Sequence, residues 1–182
     1  GGWSQIVTAL TDAIDLVPRP DVVAIEVQIA WWIPAETEPL IFDAIRLATA
    51  AGICVVEVAG NLGFDLDTYQ NEDGAFSLNR GAAGFEDSGA ILVGSADADP
   101  AHAPRPSSNY GSRVDCYAWG EQVVASGGGD LGRGAGDDST YTASFGGTSA
   151  ATAIIAGAAL VVQGLATAAP RGQRLAPAQV RE

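Results

Sequence analysis

Continuous apolar strands alternate with amphipathic helices in the first half of the chain, and this alternation strongly constrains the fold. Apolar residues recur on one face of two predicted helices, 4–17 and 38–51. The predicted strands are largely apolar on both faces, which is typical of a parallel sheet covered by helices on each side. These strands span residues 22–29, 53–59, 90–94 and 114–118. The sequence therefore predicts an α/β fold, in which ligands bind at the carboxyl ends of the strands.

The second half of the chain combines loops of small and acidic residues with one long apolar helix. Residues 61–87 and 127–140 are predicted as loops, the second of them mobile, because both are rich in Gly and Asp. A strand over 141–145 leads into a helix from Thr148 to about Ala166. This helix is rich in Gly and Ala, so we expect it to pack in a protein core rather than in lipid.

Ser149 lies where a glycine-bearing loop turns into this long helix. The loop glycines allow a substrate backbone to come close. A helix N-terminus offers unpaired N–H groups to a developing oxyanion. Ser149 is therefore a candidate nucleophile. The alternative is purely structural, with Thr148 or Ser149 serving as the N-cap of a buried helix.

Asn61 follows the predicted strand 53–59 in a Gly-Asn turn. Its side-chain amide is a neutral donor, which can stabilise an oxyanion without titrating. The alternative is that Asn61 is a turn residue that tolerates a left-handed backbone.

Four segments, taken in their order along the chain, make it resemble the subtilisin-like serine proteases, or subtilases. Val58-Ala-Gly-Asn61 and Gly147-Thr-Ser-Ala-Ala151 match the family's strand-Ala-Gly-Asn and Gly-Thr-Ser-x-Ala patterns. The segments 88–95 and 108–120 resemble its "(V)IAVGA" strand and its "FSNxGxxVDxxAPG" segment. The resemblance covers nearly the whole chain. It implies a three-layer sandwich with a mostly parallel sheet, and an endopeptidase that hydrolyses peptide bonds through an acyl-enzyme.

The resemblance also implies roles for individual residues. Ser149 would be the nucleophile, and the Asn61 side chain and the Ser149 backbone N–H would form the oxyanion hole. Ala59, Gly60 and Thr148 are expected to contact a peptide or protein substrate. Glu26 stands where the family's cleft strand carries "SLG", and a carboxylate there can favour basic substrate side chains. The alternative is that Glu26 pairs with a residue upstream of this chain.

The family's catalytic Asp and His have no match in this sequence. His102 is the single histidine, and it lies in a Pro-rich loop, where we expect a solvated side chain rather than a base. We therefore expect residues 1–182 to be the C-terminal portion of a single subtilase catalytic domain without its N-terminal strands, inactive when alone. The alternative is an inactive subtilase-like domain that binds peptides or other proteins.

Two other classes of protein fit the sequence less well. A sedolisin-type peptidase would carry an aspartate at the position of Asn61. A nucleotide-binding α/β domain would carry a glycine-rich fingerprint after its first strand, and none is present here.

The strand at 22–27 would pair, in the family, with a strand upstream of this chain. Without that neighbour its edge is bare, so we expect aggregation, dimerisation by edge pairing, or a need for the missing segment in trans. Secretion is expected from the resemblance alone.

Composition limits the partners and cofactors. A net charge of −13, with no Lys, argues against nucleic acid and anionic membrane surfaces, because both require basic patches. Cys54 and Cys116 are too few for a disulfide scaffold and are interpreted as core residues. The acidic stretches 65–67 and 127–138 lack a recognisable ligand spacing, so we expect no metal and no cofactor.

Overall fold

Four parallel strands form the central sheet of the computed structural model, which describes residues 2–19, 21–29, 32–131 and 140–182. The strands are β1 (Val22–Ile25), β2 (Cys54–Val58), β3 (Ile91–Ala96) and β4 (Cys116–Trp119), and they lie in this order. Val23 pairs with Val55, and Val58 with Val93. The predicted α/β class with a parallel sheet is confirmed.

The strand β1 is shorter than predicted, since it ends at Ile25 rather than at residue 29. Beyond it the chain folds back on itself, and Gln28 pairs with Pro34 in an isolated antiparallel bridge. That bridge draws residues 26–28 out of the parallel ladder. In the described part of the chain, β1 and β4 are the two edges of the sheet.

The helices lie close to their predicted positions. They are α1 (Gly2–Asp15), α2 (Pro39–Ala50), α3 (Gly147–Ala168) and the short α4 (Pro177–Arg181). Pro39 suits the first position of α2, where a missing N–H costs nothing. At the other end of α2, Gly52 adopts a φ of +90°, and Ile53 N donates to Ala48 O at 3.0 Å.

Helices cover both faces of the sheet because the strand residues alternate. Ile53 and Val55 face a core formed with α1 and α2, whereas Cys54 and Val56 face a core formed with α3. A third apolar cluster lies under the loop that follows β2, and it includes Leu66, Leu78 and Leu92. The result is a three-layer arrangement in which loops gather at the carboxyl ends of the strands.

The helix α3 packs against all four strands of the sheet. By length and composition alone it is also long and apolar enough to cross a membrane, and 33% of its most apolar window is buried. Its packing on the sheet agrees with a core helix. Several of its apolar residues remain exposed, namely Ile154, Leu160, Val161, Val162 and Leu165.

An antiparallel hairpin precedes α3, formed by β5 (Val123–Leu131) and β6 (Tyr141–Phe145). The sequence predicted only the second strand. Residues 127–131 were predicted as loop because they are mostly glycine, and the structure places them in β5 with an irregular register. The rest of the predicted mobile loop, residues 132–139, lies outside the described residues.

Candidate active site

Asn61 lies in a loop, directly after β2, that approaches two other segments closely. Gly60 has a φ of +105°, and a Cβ on it would lie 1.9 Å from Trp32 O and 2.3 Å from Asn109 Nδ2. Only glycine fits this position without a shift of the backbone. Asn61 itself has no positive φ, so the interpretation of Asn61 as a left-handed turn residue is wrong.

Asn109 organises this loop, and the sequence analysis assigned it no role. Its Oδ1 accepts hydrogen bonds from Leu62 N and Phe64 N, both at 3.0 Å. Its Nδ2 donates to Trp32 O at 2.9 Å and to Ala59 O at 2.8 Å. The buried amide thus uses both of its ends to hold the chain around Asn61. The only available signal was the Ser108-Asn109-Tyr110-Gly111 motif, which was matched as a pattern without a function.

Ser149 is the third residue of α3, so its backbone N–H belongs to the first turn, which has no intrahelical acceptor. The helix begins at Gly147, with a φ of +78°, and Gly147 N donates to Gly120 O at 2.8 Å. The Ser149 side chain is half-buried. Among the described residues its hydroxyl has no hydrogen-bond partner, which leaves it available for chemistry.

The structure brings the loop of Asn61 against the start of α3. Asn61 Oδ1 accepts from Thr148 N at 2.8 Å and from Thr148 Oγ1 at 3.2 Å. Asn61 is thereby fixed beside the residue that precedes Ser149, although 87 positions separate the two bonded residues. Its Nδ2 has no partner in the described part of the chain, so the donor end of the amide is free while the acceptor end is held.

The structural alternative for Thr148 and Ser149 is wrong. The N-cap of α3 is Gly146, which has no side chain with which to cap the helix. A distant residue supplies the capping oxygen instead, because Asn61 Oδ1 satisfies the N–H of Thr148, the second residue of the helix.

Three of the residues that are predicted to contact substrate are buried. Ala59 and Thr148 are fully buried. Ala59 N donates to Val93 O, and Gly60 O accepts from Asn109 N, both at 2.9 Å. Substrate contact at Ala59, Gly60 and Thr148 stays a prediction. Because these residues are buried and hydrogen-bonded, a substrate could contact only the few atoms that they leave exposed.

Glu26 lies just beyond β1, beside the open edge of the sheet. It is exposed and lines a groove of about 460 Å³ between β1 and α1, together with Trp3 and Ile6. Partial burial raises the pKa of its carboxyl group. Among the described residues no hydrogen-bond or ion-pair partner faces it.

His102 lies in the loop between β3 and β4, as predicted. Trp119 Nε1 donates to His102 Nδ1 at 3.0 Å, and the two rings stack with centroids 6.1 Å apart. One ring nitrogen of the single histidine is therefore occupied by an indole. The contacts of His102 are with Trp119 and its own loop, and they provide no base for Ser149.

A buried polar cluster, which the sequence analysis missed, lies below these loops. The cluster contains Glu36, Glu57 of β2 and Arg113, all of them buried. Arg113 Nε donates to Glu36 Oε1 at 2.7 Å. Burial alone would lower the pKa of Arg113, but the charge of Glu36 and the bonds to it raise it. Burial, followed by the charge of Glu36, raises the pKa of Glu57 well above its usual range. Glu57 was overlooked because it stands in an otherwise apolar strand.

The acidic stretch 65–67 has a structural role in the loop. Asp65 Oδ1 accepts from Asp67 N at 3.1 Å, and Asp67 Oδ1 accepts from Ser112 N at 2.9 Å. Across the described ranges there is no group of three or more His, Cys, Asp or Glu that could hold a metal. Most of the other stretch, 127–138, lies outside those ranges.

Solved structures with the same fold include a subtilisin-like serine proteinase and other proteases. A cold-adapted subtilisin-like serine proteinase superposes with a TM-score of 0.67 at 20% identity, covering 98% of this chain and 52% of its own. A lanthipeptide protease gives a TM-score of 0.68 at 20% identity, covering 98% of this chain and 56% of its own. A protease from Pseudoalteromonas arctica gives a TM-score of 0.60 at 19% identity, and the match covers 90% of this chain and 42% of the protease. This chain thus spans about half the length of the structures that it matches.

No curated protein matches the sequence. The model of the subtilase family, Peptidase S8, matches residues 32–182, which is most of the chain and includes both Asn61 and Ser149. The fold, with its parallel sheet between two layers of helices, agrees with that match. The chain therefore belongs to the subtilase family.

Proposed function

We propose that this chain is part of a serine endopeptidase in which Ser149 attacks the scissile carbonyl carbon. Its Oγ forms a bond to that carbon while a base takes the hydroxyl proton. The tetrahedral intermediate collapses when the C–N bond breaks and the amine leaves with a proton. Water then hydrolyses the acyl-enzyme. Asn61 Nδ2 and the Ser149 backbone N–H donate to the oxyanion in both steps.

One observation carries this proposal: Asn61 Oδ1 is bonded to Thr148 N at 2.8 Å. An amide held by its oxygen has a defined orientation for its NH₂ group. The first turn of α3 provides unpaired N–H groups next to the Ser149 hydroxyl. Two donors and one hydroxyl in fixed positions form the oxyanion-binding half of an acyl-transfer site, and a base must complete it.

We further propose that a neighbouring segment of the same domain supplies the Asp and His. The unpaired edge of β1 and the exposed apolar residues of α3 favour this arrangement, because both surfaces are suited to burial under further chain. The contacts of His102 with Trp119 agree with a base from elsewhere. Alone, this chain is expected to be inactive, because a serine hydroxyl without a base is a poor nucleophile.

The proposed substrate is a peptide in extended conformation, added as a strand along the rim where β1 and β2 end. Glu26 lies at this rim and would face positively charged substrate side chains.

Labelling with a fluorophosphonate tests the nucleophile. In the complete protein that contains this chain, we expect covalent labelling that Ser149→Ala abolishes. The matched control is Ser144→Ala, an exposed serine of β6, which should label like the parent. If the folded parent does not label at all, the inactive, peptide-binding alternative is favoured. If Ser149→Ala still labels, the assignment of the nucleophile is wrong.

A further inference from the structure

A buried ionic cluster joins three segments beneath the candidate active site. Arg113 forms a bidentate pair with Glu36, with Nε to Oε1 at 2.7 Å and Nη2 to Oε2 at 2.8 Å. Its Nη1 donates to Asp115 Oδ2 at 2.8 Å. Arg113 and Glu57 are both 0% exposed. The cluster thus links the turn before α2, the end of β2 and the segment before β4.

The carboxyl group of Glu57 faces the backbone N–H groups of Ala35 and Glu36, in the turn before α2. Its Oε1 accepts from Glu36 N at 2.8 Å, which attaches the turn before α2 to β2. Its Oε2 is buried and has no hydrogen-bond partner. An ionised carboxylate with one unpaired buried oxygen is costly, whereas the protonated acid leaves no buried charge.

The charges of the surrounding groups balance without Glu57. Three guanidinium groups face three other carboxylates through the ion pairs in this region. The cations are Arg80, Arg113 and Arg181, and the anions are Glu36, Asp87 and Asp115. Glu36 and Arg113 are the charged groups that face Glu57 itself. A charged Glu57 would add a fourth, uncompensated anion.

The same segments hold the loop of Asn61. Trp32 O, four residues before Glu36, accepts from Asn109 Nδ2 at 2.9 Å. Asn109, four residues before Arg113, also holds Leu62 N and Phe64 N. Movement of the turn at Glu36 therefore reaches Asn61 through Trp32 and Asn109.

We propose that Glu57 is a positioning residue of the candidate active site: its uncharged carboxyl group holds the turn at Glu36 against β2, and its ionisation loosens the loop 59–64. The effect on catalysis rests on the proposed function, whereas the effects on stability and on the loop 59–64 do not depend on activity. The direction of the pKa shift of Glu57 determines how the stability of the fold changes with pH. The folded state keeps a proton that the unfolded state releases above its ordinary pKa, so stability falls as pH rises toward the folded pKa.

The first test compares the complete protein with its Glu57→Gln variant, which is uncharged and keeps an acceptor for Glu36 N. Between pH 5 and the pKa of the folded acid, the folding equilibrium of the parent should weaken by up to tenfold per pH unit relative to the variant. Above the pKa of the folded acid, the protection of the Leu62 and Phe64 amides against hydrogen exchange should fall in the parent but not in the variant. Glu86→Gln, at an exposed glutamate, is the control and should follow the parent.

Equal pH dependence of stability in parent and Glu57→Gln would overturn the inference, as would equal protection of Leu62 and Phe64 in the two proteins across this pH range. These readouts do not require an active enzyme, so they stand even if fluorophosphonate labelling fails. In an active enzyme, the labelling rate of Ser149 should fall reversibly in the parent as the pH rises through the pKa of the folded acid, and Glu57→Gln should retain it. A merely structural Glu57 would change stability without changing the pH profile of labelling.

Discussion

At the scale of single residues, the candidate site depends on two amides that act in different ways. Asn109 is fully buried and uses all of its hydrogen-bonding capacity on backbone groups. Asn61 uses its oxygen for Thr148 and leaves its nitrogen available. Gly60 lies between them in the chain, and its missing side chain allows the three segments to approach.

Replacement of Gly60 by Ala should be strongly destabilising. The new Cβ would overlap Trp32 O, and the φ of +105° is unfavourable for any residue with a side chain. We expect a loss of more than about 2 kcal/mol in the free energy of unfolding, measured by urea denaturation. Gly52→Ala is the matched control: its φ is +90° but no atom lies within 4 Å of the added Cβ. It should cost only about 1 kcal/mol. Equal losses would show that the contact is unimportant.

The sequence alone was sufficient to propose Asn61 and Ser149 as site residues, because both stand in short motifs with a chemical reason for each residue type; their roles stay a prediction. It was not sufficient for Asn109, Arg113, Glu36 and Glu57. Their roles depend on contacts between segments that are up to 77 positions apart, as for Arg113 and Glu36. A charged residue in a strand pattern gives no sign of its partner, so the pattern of residues 53–59 predicts an apolar strand and no role for Glu57.

At the scale of elements, the helices and parallel strands followed from their apolar periodicity, whereas the hairpin did not. The strand β5 includes Gly127, Gly128 and Gly129, and glycine carries no β-propensity that a pattern could reveal. The ends of elements were likewise set by distant contacts. The start of α3 depends on Asn61 Oδ1, and the attachment of α4 depends on Gln163.

Gln163 of α3 joins this helix to the segment before α4. Its Nε2 donates to Leu175 O and its Oε1 accepts from Leu175 N, both at 2.9 Å. Gln163→Leu should cost about 2 kcal/mol in the free energy of unfolding, because both backbone groups lose their partner. Limited proteolysis should also detect faster cleavage within 169–176. Gln5→Leu, at an exposed position of α1, is the control and should change neither quantity much. Equal effects in the two variants would contradict this role.

At the scale of the whole molecule, the edge of the sheet at β1 and several apolar residues of α3 are left uncovered by the described residues. The outer edge of β1 has no paired strand in the described part of the chain, and the groove beside it is lined by Trp3 and Ile6 of α1. Family membership and a span of about half the matching structures agree with a domain that further chain completes. The net charge of −13 opposes unspecific association but does not satisfy the backbone groups of an open edge.

The 182 residues expressed alone should therefore dimerise or aggregate through β1. Size-exclusion chromatography with light scattering measures this directly. Ala24→Lys places a charge on the exposed middle of the edge strand and should shift the population toward monomer. Ala83→Lys makes the same substitution at an exposed alanine of the loop between β2 and β3 and is the control. A stable monomer with the full circular-dichroism signal of the sheet would contradict the prediction.

The bond between Asn61 and Thr148 affects how the site can be dissected by mutagenesis. Truncation of Asn61 removes two things together: the proposed donor to a reacting oxygen, and the acceptor for Thr148 N at the start of the helix that carries the proposed nucleophile. A lower rate in such a variant would therefore reflect both the lost donor and a displaced Ser149. Aspartate at this position would keep an oxygen for Thr148 while removing the NH₂ group. Comparison of the two substitutions therefore separates loss of the helix contact, which only the truncation causes, from the effect on a reacting oxygen, which both cause.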